Sequence, residues 1–311
     1  MRDYLVKRVL QALGVILCIS AITFFVLNLV PGDPVRVMMG DMADEATIAQ
    51  VRHSMGLDRP IPVQYFSWLG DMLHGDFGTS YAQHRGVIEL MGRALGVTAK
   101  LSGLAYLLSL VIGLVFGVVS AVNRGKAADR ILMALSIFGI SAPAFWVAII
   151  LQIVFAMNLH WLPLSGVRTA ACFVLPVIAL GTRYAASIAR VTRTAMLEVL
   201  NQDFMRTAEA KGLAKWVVII KHGLRNALIP IITIAGTQLG QILTGSILIE
   251  SVFSMPGIGK LLLDAIQARD LPLIQGGVMY IALICVIVYL LVDILYAVVD
   301  PRIRLGGGAE E

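Results

Sequence analysis

The sequence predicts an all-α integral membrane protein with six transmembrane helices and an external module between the first and second helices. Of the 311 residues, 58% are hydrophobic and 14% are charged, and the mean hydropathy of +0.82 is far above that of a soluble domain. Six apolar runs are also long enough to span a bilayer, which requires about 20 residues. These runs cover residues 9–30, 97–122, 131–157, 173–195, 228–251 and 276–299.

The first 30 residues read as an N-terminal tail followed by transmembrane helix 1. Arg2, Lys7 and Arg8 precede the first apolar run. A cleaved signal peptide is the competing interpretation, but its apolar core has about 7–15 residues and ends at small residues. This run is longer and ends at the sequence Pro-Gly-Asp-Pro (residues 31–34). We therefore expect it to remain as a spanning helix.

Residues 31–96 are polar and mixed in character, with more acidic than basic residues. The pattern predicts a helix that starts near Asp44 or Thr47, a break at Pro60–Pro62, and an aromatic helix around Trp68. We expect a small module outside the membrane.

Residues 97–300 contain the other five apolar runs, and residues 301–311 form a polar tail. Pro143 and Pro176 lie inside two of the runs. Because proline lacks a backbone N–H, they predict kinks or an early helix start. Six spans place both termini on the same side of the membrane.

The basic residues indicate which side that is. Those on the side of the termini are Arg2, Lys7, Arg8, Arg124, Lys126, Arg130, Arg190, Arg193, Arg206, Lys211, Lys215, Lys221, Arg225, Arg302 and Arg304. The two short loops on the other side contain only Arg168, Lys260 and Arg269. The positive-inside rule therefore predicts cytoplasmic termini, a cytoplasmic segment 203–230 and an external module 31–96. The net charge of +5 does not indicate a nucleic-acid partner, because these residues lie at membrane boundaries and not on one face of a soluble domain.

The cytoplasmic segment 203–230 has the pattern helix, glycine turn, helix. Asp203 supplies a carboxylate at the start of a short helix that extends to Lys211, and Gly212 suits a left-handed C-terminal cap. A second amphipathic helix is predicted over residues 214–224. On pattern alone, the segment could equally lie on anionic lipid headgroups. A further amphipathic helix is predicted at residues 258–265, as an interfacial helix or a re-entrant gate.

Several strings resemble the permeases of ATP-binding-cassette importers. Arg206-Thr207-Ala208-x-x-x-Gly212 falls on the alanine and glycine spacing of their cytoplasmic loop, within RTAEAKGL and followed by HGLRNALIP. Arg206 and Thr207 stand where the general pattern has Glu and Ala, and Arg225 where it has Pro, which agrees with the peptide and nickel branch. PGDP, GLDRPIPVQY, GDFGTSY, FSMPGIG, RDLPLIQ and LVDILYAVVDPRIR also resemble that branch, in the right order and over nearly the whole chain.

The resemblance implies an assembly and a coupling site. It implies a second, paralogous permease subunit, two ATP-binding subunits that grip the short helix, and an external substrate-binding protein near the module 31–96. The coupling residues it implies are Asp203, Arg206, Thr207, Ala208, Glu209, Ala210, Lys211 and Gly212. Arg206, Glu209 and Lys211 would set the register of the helix in the groove, while Ala208 and Ala210 would allow close approach.

No catalytic, cofactor or resident metal site is predicted. The string SMPGIGKL (254–261) lacks the first glycine and the hydroxyl residue of a phosphate-binding loop, and no Gly-x-Ser-x-Gly or His-Glu-x-x-His motif occurs. The three cysteines are far apart and are expected to be packing residues. His53, His74 and His84 of the external module could contact a metal cargo, although scattered surface histidines rarely ligate.

Three ionisable residues in or near the spans are candidate pathway residues, because a charge in a span is costly and usually faces a cavity or a partner. Arg183 lies near the middle of the fourth run and could attract a peptide carboxylate or pair with backbone carbonyls or Asp293. Asp293 lies nearer a helix end. Glu250 lies at the outer end of the fifth run, either at the interface or as a gate.

The sequence thus predicts a permease subunit of an ATP-driven importer in the bacterial inner membrane, with peptides, including glutathione, as the favoured cargo. Import of nickel or a metallophore by the same machinery stays open. So does an ATP-independent channel or ion-coupled carrier with Arg183 and Asp293 as a charge relay, although residues 1–155 and 156–311 show none of the internal repetition such carriers often have.

Overall fold

A computed structural model describes residues 2–29, 34–39 and 44–299, and the regular elements in these ranges are helical apart from one isolated bridge between Thr79 and Gly86. The predicted tail (301–311) and residues 31–33 lie outside the described residues. The α-helices are α1 (Arg2–Leu29), α2 (Pro34–Met39), α3 (Glu45–Ser54), α4 (Ile61–Leu73), α5 (Val87–Val122), α6 (Ala127–Ser141), α7 (Ala144–Leu151), α8 (Val174–Leu200), α9 (Asp203–Ala210), α10 (Lys215–Val217), α11 (Arg225–Val252), α12 (Ile258–Gln267) and α13 (Leu271–Val299). Two π-helices (Gln152–Asn158 and Val218–Leu224) and one 3₁₀ helix (Ala170–Phe173) complete them.

Five helical stretches in the described part of the chain are long and apolar enough to cross a membrane. They are Val6–Leu29, Val87–Val122, Ala170–Leu200, Lys215–Val252 and Leu271–Ile294. Each overlaps one of the predicted runs. Pro176 is the third residue of α8, so it falls in the first turn, where its missing N–H costs no intrahelical bond.

The third predicted run is not one straight helix. Ala127–Ser141 and Ala144–Asn158 meet at an angle of 105°, and the count of six spans holds if this bent pair is one span. The break lies at Ala142, whose backbone is extended, and Pro143, which precedes α7. A residue before proline is driven out of the helical region, and proline cannot donate to the preceding turn, so two successive residues end α6.

The chain divides into two compact units. Of the described residues, the first combines those up to 96 with 257–290, and the second combines 97–256 with 291–299. In the first unit, α3 and α4 match the helices predicted near Asp44 and Trp68, and α12 matches the amphipathic helix predicted after residue 257. An apolar cluster joins the start of α5 to α12 and α13, with Val87, Met91 and Leu273 almost fully buried.

In the second unit, α8 packs against α5, α6, α7 and α11. Glycines allow its closest approach to α5. A Cβ at Gly113 would lie 2.6 Å from the Cβ of Ile188, and one at Gly117 would lie 2.4 Å from the Cβ of Thr192. Small residues of this kind let helix backbones meet in a membrane, where the hydrophobic effect does not drive helices together.

Candidate functional site

The short helix predicted after residue 202 is present as α9 (Asp203–Ala210). Asp203 is its first residue, where a carboxylate complements the helix dipole, and Gln202 is the residue before it. The helix ends as predicted, because Gly212 has a φ of +75° and its N–H donates to the carbonyl of Glu209 at 2.9 Å. Nothing lies within 4 Å of a Cβ built at Gly212, so the glycine is required by the backbone conformation and not by space.

One face of α9 packs on its own chain. Met205 and Ala208 are 2% and 6% exposed, and they form a cluster with the buried Val218 and the partly buried Val199 and Leu200. Positions 205 and 208 are three apart and so lie on the same side of the helix. Ala208 therefore allows α9 to approach the rest of this chain, and its expected role in the approach of a partner stays a prediction.

The opposite face of α9 is open. Of the predicted coupling residues, Asp203, Arg206, Thr207, Glu209, Ala210, Lys211 and Gly212 are all exposed. The structure adds Phe204 and Leu213, large apolar side chains that are 42% and 40% exposed at the two ends of the helix. Sequence reasoning missed Phe204 because its position in the helix period does not reveal which face is covered. We call Asp203–Leu213 without Met205 and Ala208 the outer face of α9.

The helix predicted over residues 214–224 does not end there. Lys215–Val252 is continuous, and α10 passes through the π-helix Val218–Leu224 directly into α11. Gly223 lies in this π-helix, where a Cβ would be 3.2 Å from Cε of Met196 and 3.5 Å from Cε of Met205. Such π-helical turns occur frequently at functional sites. Only the turn at Gly212 therefore separates α9 from a membrane-spanning helix.

A second polar cluster was not predicted at all. Asp129 in α6 is 4% exposed and accepts hydrogen bonds from Arg193 through Nε (2.7 Å) and Nη2 (2.9 Å). Ser120 Oγ and the Gly125 N–H also donate to this carboxylate, the latter at 2.9 Å. The cluster ties the connection between α5 and α6 to α8, ten residues before α9. The signal in the sequence was a single acidic residue in a strongly basic loop.

The predicted pathway residues lie on three different helices, α8, α11 and α13. Arg183 is exposed on α8 and forms no ion pair within the described residues, so its proposed pairing with Asp293 is not observed, and Asp293 is partly buried on α13. Glu250 differs from its expected place at the interface, because it is fully buried. It accepts hydrogen bonds from Thr98 Oγ1 (2.7 Å) and Ser246 Oγ (3.0 Å), and these hydroxyls make burial of the carboxyl group possible.

Of the histidines between residues 31 and 96, His53 forms a hydrogen bond with Asp58 at 2.6 Å. This bond holds the pKa of the Asp58 carboxyl below its usual value. Both side chains are exposed, so the pair is a surface contact.

Comparison with known proteins gives matches over nearly the whole chain. Residues 113–305 match the family described as "Binding-protein-dependent transport system inner membrane component", and residues 1–102 match the corresponding N-terminal family. The chain is 42% identical over 304 residues to the "Glutathione transport system permease protein GsiC" of Pectobacterium atrosepticum, covering 98% of this chain and 99% of that protein. It is 40% identical, with the same coverage, to the protein of that name from Salmonella typhi.

Two solved structures share the fold. An inward-facing MetNI methionine ABC transporter superposes with a TM-score of 0.58 at 18% identity, covering 68% of this chain and 97% of that one. An amino acid ABC transporter with histidines gives a TM-score of 0.52 at 17% identity, covering 69% and 94%. At these identities the likeness concerns the fold alone.

Proposed function

This chain belongs to the binding-protein-dependent family of inner-membrane transport components, and from that premise we propose that it is the permease subunit through which an ATP-driven importer moves glutathione or a related small peptide. The observation that supports this choice of cargo is the sequence match, over nearly the whole chain, to glutathione permeases. The chain is a multi-pass inner-membrane protein and not itself an enzyme. Its family works with ATP-binding subunits and a substrate-binding protein.

The outer face of α9 is the docking surface for an ATP-binding subunit in this proposal. Its exposed apolar ends, Phe204 and Leu213, would enter a groove, and Arg206, Glu209 and Lys211 would pair at the rim. Helix-in-groove recognition uses this combination of apolar anchors and flanking charge. The buried Met205 and Ala208 would keep α9 attached to its own subunit, so a force on the helix is not lost by local rotation.

Transport requires that α9 bind one conformation of the ATP-binding subunit differently from another, since otherwise ATP turnover transmits no free energy. A displacement of α9 would pass through the continuous helix Lys215–Val252 into the membrane, and through Met196 and Gly223 into α8. Both helices are built into the core of the second unit. Rigid-body motion of that unit would then exchange outward for inward access.

The finer details of the assembly are part of the proposal. The termini lie in the cytoplasm, as the distribution of basic residues predicts. A second, paralogous permease subunit completes the pathway. Nickel or metallophore cargo, and transport without ATP, are the outcomes that the experiment below separates from peptide import.

The test is uptake into proteoliposomes that contain the permease pair and the ATP-binding subunits, with the binding protein outside. Labelled glutathione and a labelled dipeptide should accumulate only with ATP. Ala210→Trp on the outer face of α9 should reduce uptake by at least about tenfold, equivalent to ~1.4 kcal/mol of lost coupling, while ATP hydrolysis continues.

The matched control is Ala127→Trp, the same exchange at an exposed alanine of α6 outside α9. It should transport normally. Uptake of nickel alone, uptake without ATP, or an Ala210→Trp variant indistinguishable from Ala127→Trp would each contradict the proposal.

A further inference from the structure

The first unit contains a cavity of about 840 Å³ that the proposed coupling mechanism does not use. It is lined by the C-terminal part of α1, by residues 55–59, by α4, by residues 76–84, and by residues 266–275 at the end of α12 and the start of α13. Its volume falls in the range of small-molecule sites. With cytoplasmic termini, these ends of α1 and α13 face the outside, so a solute arriving from there reaches the cavity before crossing the membrane.

The walls of this cavity are held in place by buried polar contacts. Asp270 is 1% exposed and accepts hydrogen bonds from Ser80 Oγ (2.5 Å) and from the N–H groups of Tyr81 and Ala82 (3.1 Å each). On another wall, Gln64 Nε2 donates to the carbonyls of Leu57 (3.1 Å) and Arg59 (2.8 Å). The segments that carry Tyr81 and Arg59 are therefore preorganised.

Two residues of the cavity wall have a left-handed backbone conformation. The described residues include four non-glycine residues with positive φ, and two of them, His84 (φ 51°) and Arg269 (φ 53°), line this cavity. His84 lies in the turn between the bridged residues Thr79 and Gly86. Arg269 follows the C-terminal cap of α12, where the N–H of Asp270 donates to the carbonyl of Ala265 at 2.9 Å, so this turn fixes the place of Arg269 beside the cavity.

Charges of both signs line the cavity. Arg59 and Arg269 are cationic, Asp71 and Asp76 are anionic, and none of the four forms an ion pair within the described residues. All four side chains are exposed and so available to a ligand. Phe24, Trp68 and Phe77 supply apolar wall between them. Tyr81 adds a hydroxyl donor, since a phenol is protonated at neutral pH, and burial and the charge of Asp270 raise the pKa of this phenol further.

We infer that this cavity binds a zwitterionic solute of small-peptide size, with its carboxylate at Arg59 and Arg269 and its ammonium group at Asp71 and Asp76. A guanidinium matches a carboxylate geometrically, and the two aspartates supply the opposite charge that a free amino terminus requires. Identifying this solute with the transported cargo rests on the proposed function. The site would hold cargo at the outer surface of the permease, separate from the binding protein.

The test measures equilibrium binding to the complete permease complex in nanodiscs, without ATP and without the binding protein. The probes are the dipeptide Ala-Phe, its N-acetyl derivative and its C-terminal amide. Binding of each probe is measured by saturation-transfer NMR. The unmodified dipeptide should bind at least about tenfold more tightly than either derivative, since each derivative loses one charge-paired end worth ~1.4 kcal/mol or more. This comparison needs no variant.

Variants then assign the two ends. Arg59→Gln and Arg269→Gln should weaken the dipeptide but not the amide, and Asp71→Asn should weaken the dipeptide but not the N-acetyl derivative. Arg85→Gln and Asp44→Asn, exposed residues of the same module that do not line the cavity, are the matched controls and should bind as the wild type does.

The inference is overturned if the wild-type complex binds no dipeptide at millimolar concentration, if the three probes bind equally, or if co-purified phospholipid occupies the cavity and dipeptide does not displace it. These outcomes are separable from failure of the proposed function. Uptake with no binding at the cavity removes only this inference, whereas binding without ATP-driven uptake removes only the proposed function.

Discussion

Asp129 and Arg193 provide the sharpest test of how the connection between α5 and α6 is held against α8. The change is a double-mutant cycle with Asp129→Asn, Arg193→Gln and the double variant. Both replacements remove the charge and leave a polar side chain; Asn has the size of Asp, and Gln is shorter than Arg. The carboxylate accepts four hydrogen bonds, two of them from one guanidinium, and its side chain is 6% exposed, against 27% for Arg193.

The expected magnitude follows from these exposures. Breaking a fully buried pair costs about 3–5 kcal/mol, because one charge is left without compensation. Arg193 keeps partial access to solvent, so we expect each single variant to lose about 3 kcal/mol of unfolding free energy. We expect the double variant to lose ~4 kcal/mol, which gives a coupling energy of ~2 kcal/mol, in the range of hydrogen bonds between charged groups.

The assay is reversible unfolding in mixed micelles by added denaturing detergent, followed by tryptophan fluorescence. Asp203 and Arg206 supply the control cycle, because they lie 3.7 Å apart with side chains 98% and 79% exposed. Exposed pairs within a helix contribute about 0.3–0.5 kcal/mol. A coupling energy for Asp129 and Arg193 no larger than that of the control would refute the reasoning, and the cluster would then be an incidental surface contact.

Three further predictions concern single positions. Gly117→Ala should lose ~1–3 kcal/mol of unfolding free energy, because its Cβ would lie 2.4 Å from the Cβ of Thr192 and 2.8 Å from the Ala189 carbonyl oxygen. Gly103→Ala, where no atom lies within 4 Å of the new Cβ, should be neutral, and equal stability of the two variants would argue against this close packing. Glu250→Leu should lose ~1–3 kcal/mol of unfolding free energy because it removes the acceptor of the buried Thr98 and Ser246 hydroxyls, and Glu250→Gln should lose less. A Leu variant as stable as the wild type in the same denaturant titration would show that these hydrogen bonds do not contribute to stability. Gly212→Ala should destabilise the turn after α9 by ~1–2 kcal/mol, because an L-residue disfavours the left-handed backbone there, and proteolysis near residue 212 should become faster. Gly86→Ala, at a glycine without positive φ, should leave that cleavage rate unchanged, and identical cleavage of both variants would count against a requirement for a left-handed residue at position 212.

The elements that could be predicted are those whose signals are local. Asp203 and Gly212 bracket a short helix because a carboxylate at the first turn and a left-handed residue at the end act within a few residues of each other. The sequence predicted a kink or an early helix start at Pro143, and the structure shows a sharper break at that position. Proline favours the extended backbone at Ala142, but the 105° angle between the two helices also depends on how each helix packs, which no local propensity specifies.

The features that the sequence did not reveal depend on contacts between elements. The sequence does not show that Ala208 lies on the covered face of α9, since only its packing on Val218 shows which side is covered. Glu250 was expected at the interface by default, because nothing near it in the sequence indicates that Thr98, 152 positions away, donates a hydrogen bond to its carboxyl group. The pairing of Asp129 with Arg193 spans 64 positions and was missed for the same reason.

By itself, the sequence determined that this chain is a membrane protein, roughly where it crosses the membrane, and which connections carry positive charge. Hydropathy and charge are properties of single residues, and the free energy of each residue depends on its depth in the bilayer. Only the tertiary structure decided which side of α9 is open, which carboxyl groups are buried and paired, and that Arg59, Arg269, Asp71 and Asp76 surround one cavity. Those features depend on the distance and direction between helices, which side-chain packing sets and which no local pattern in the sequence specifies.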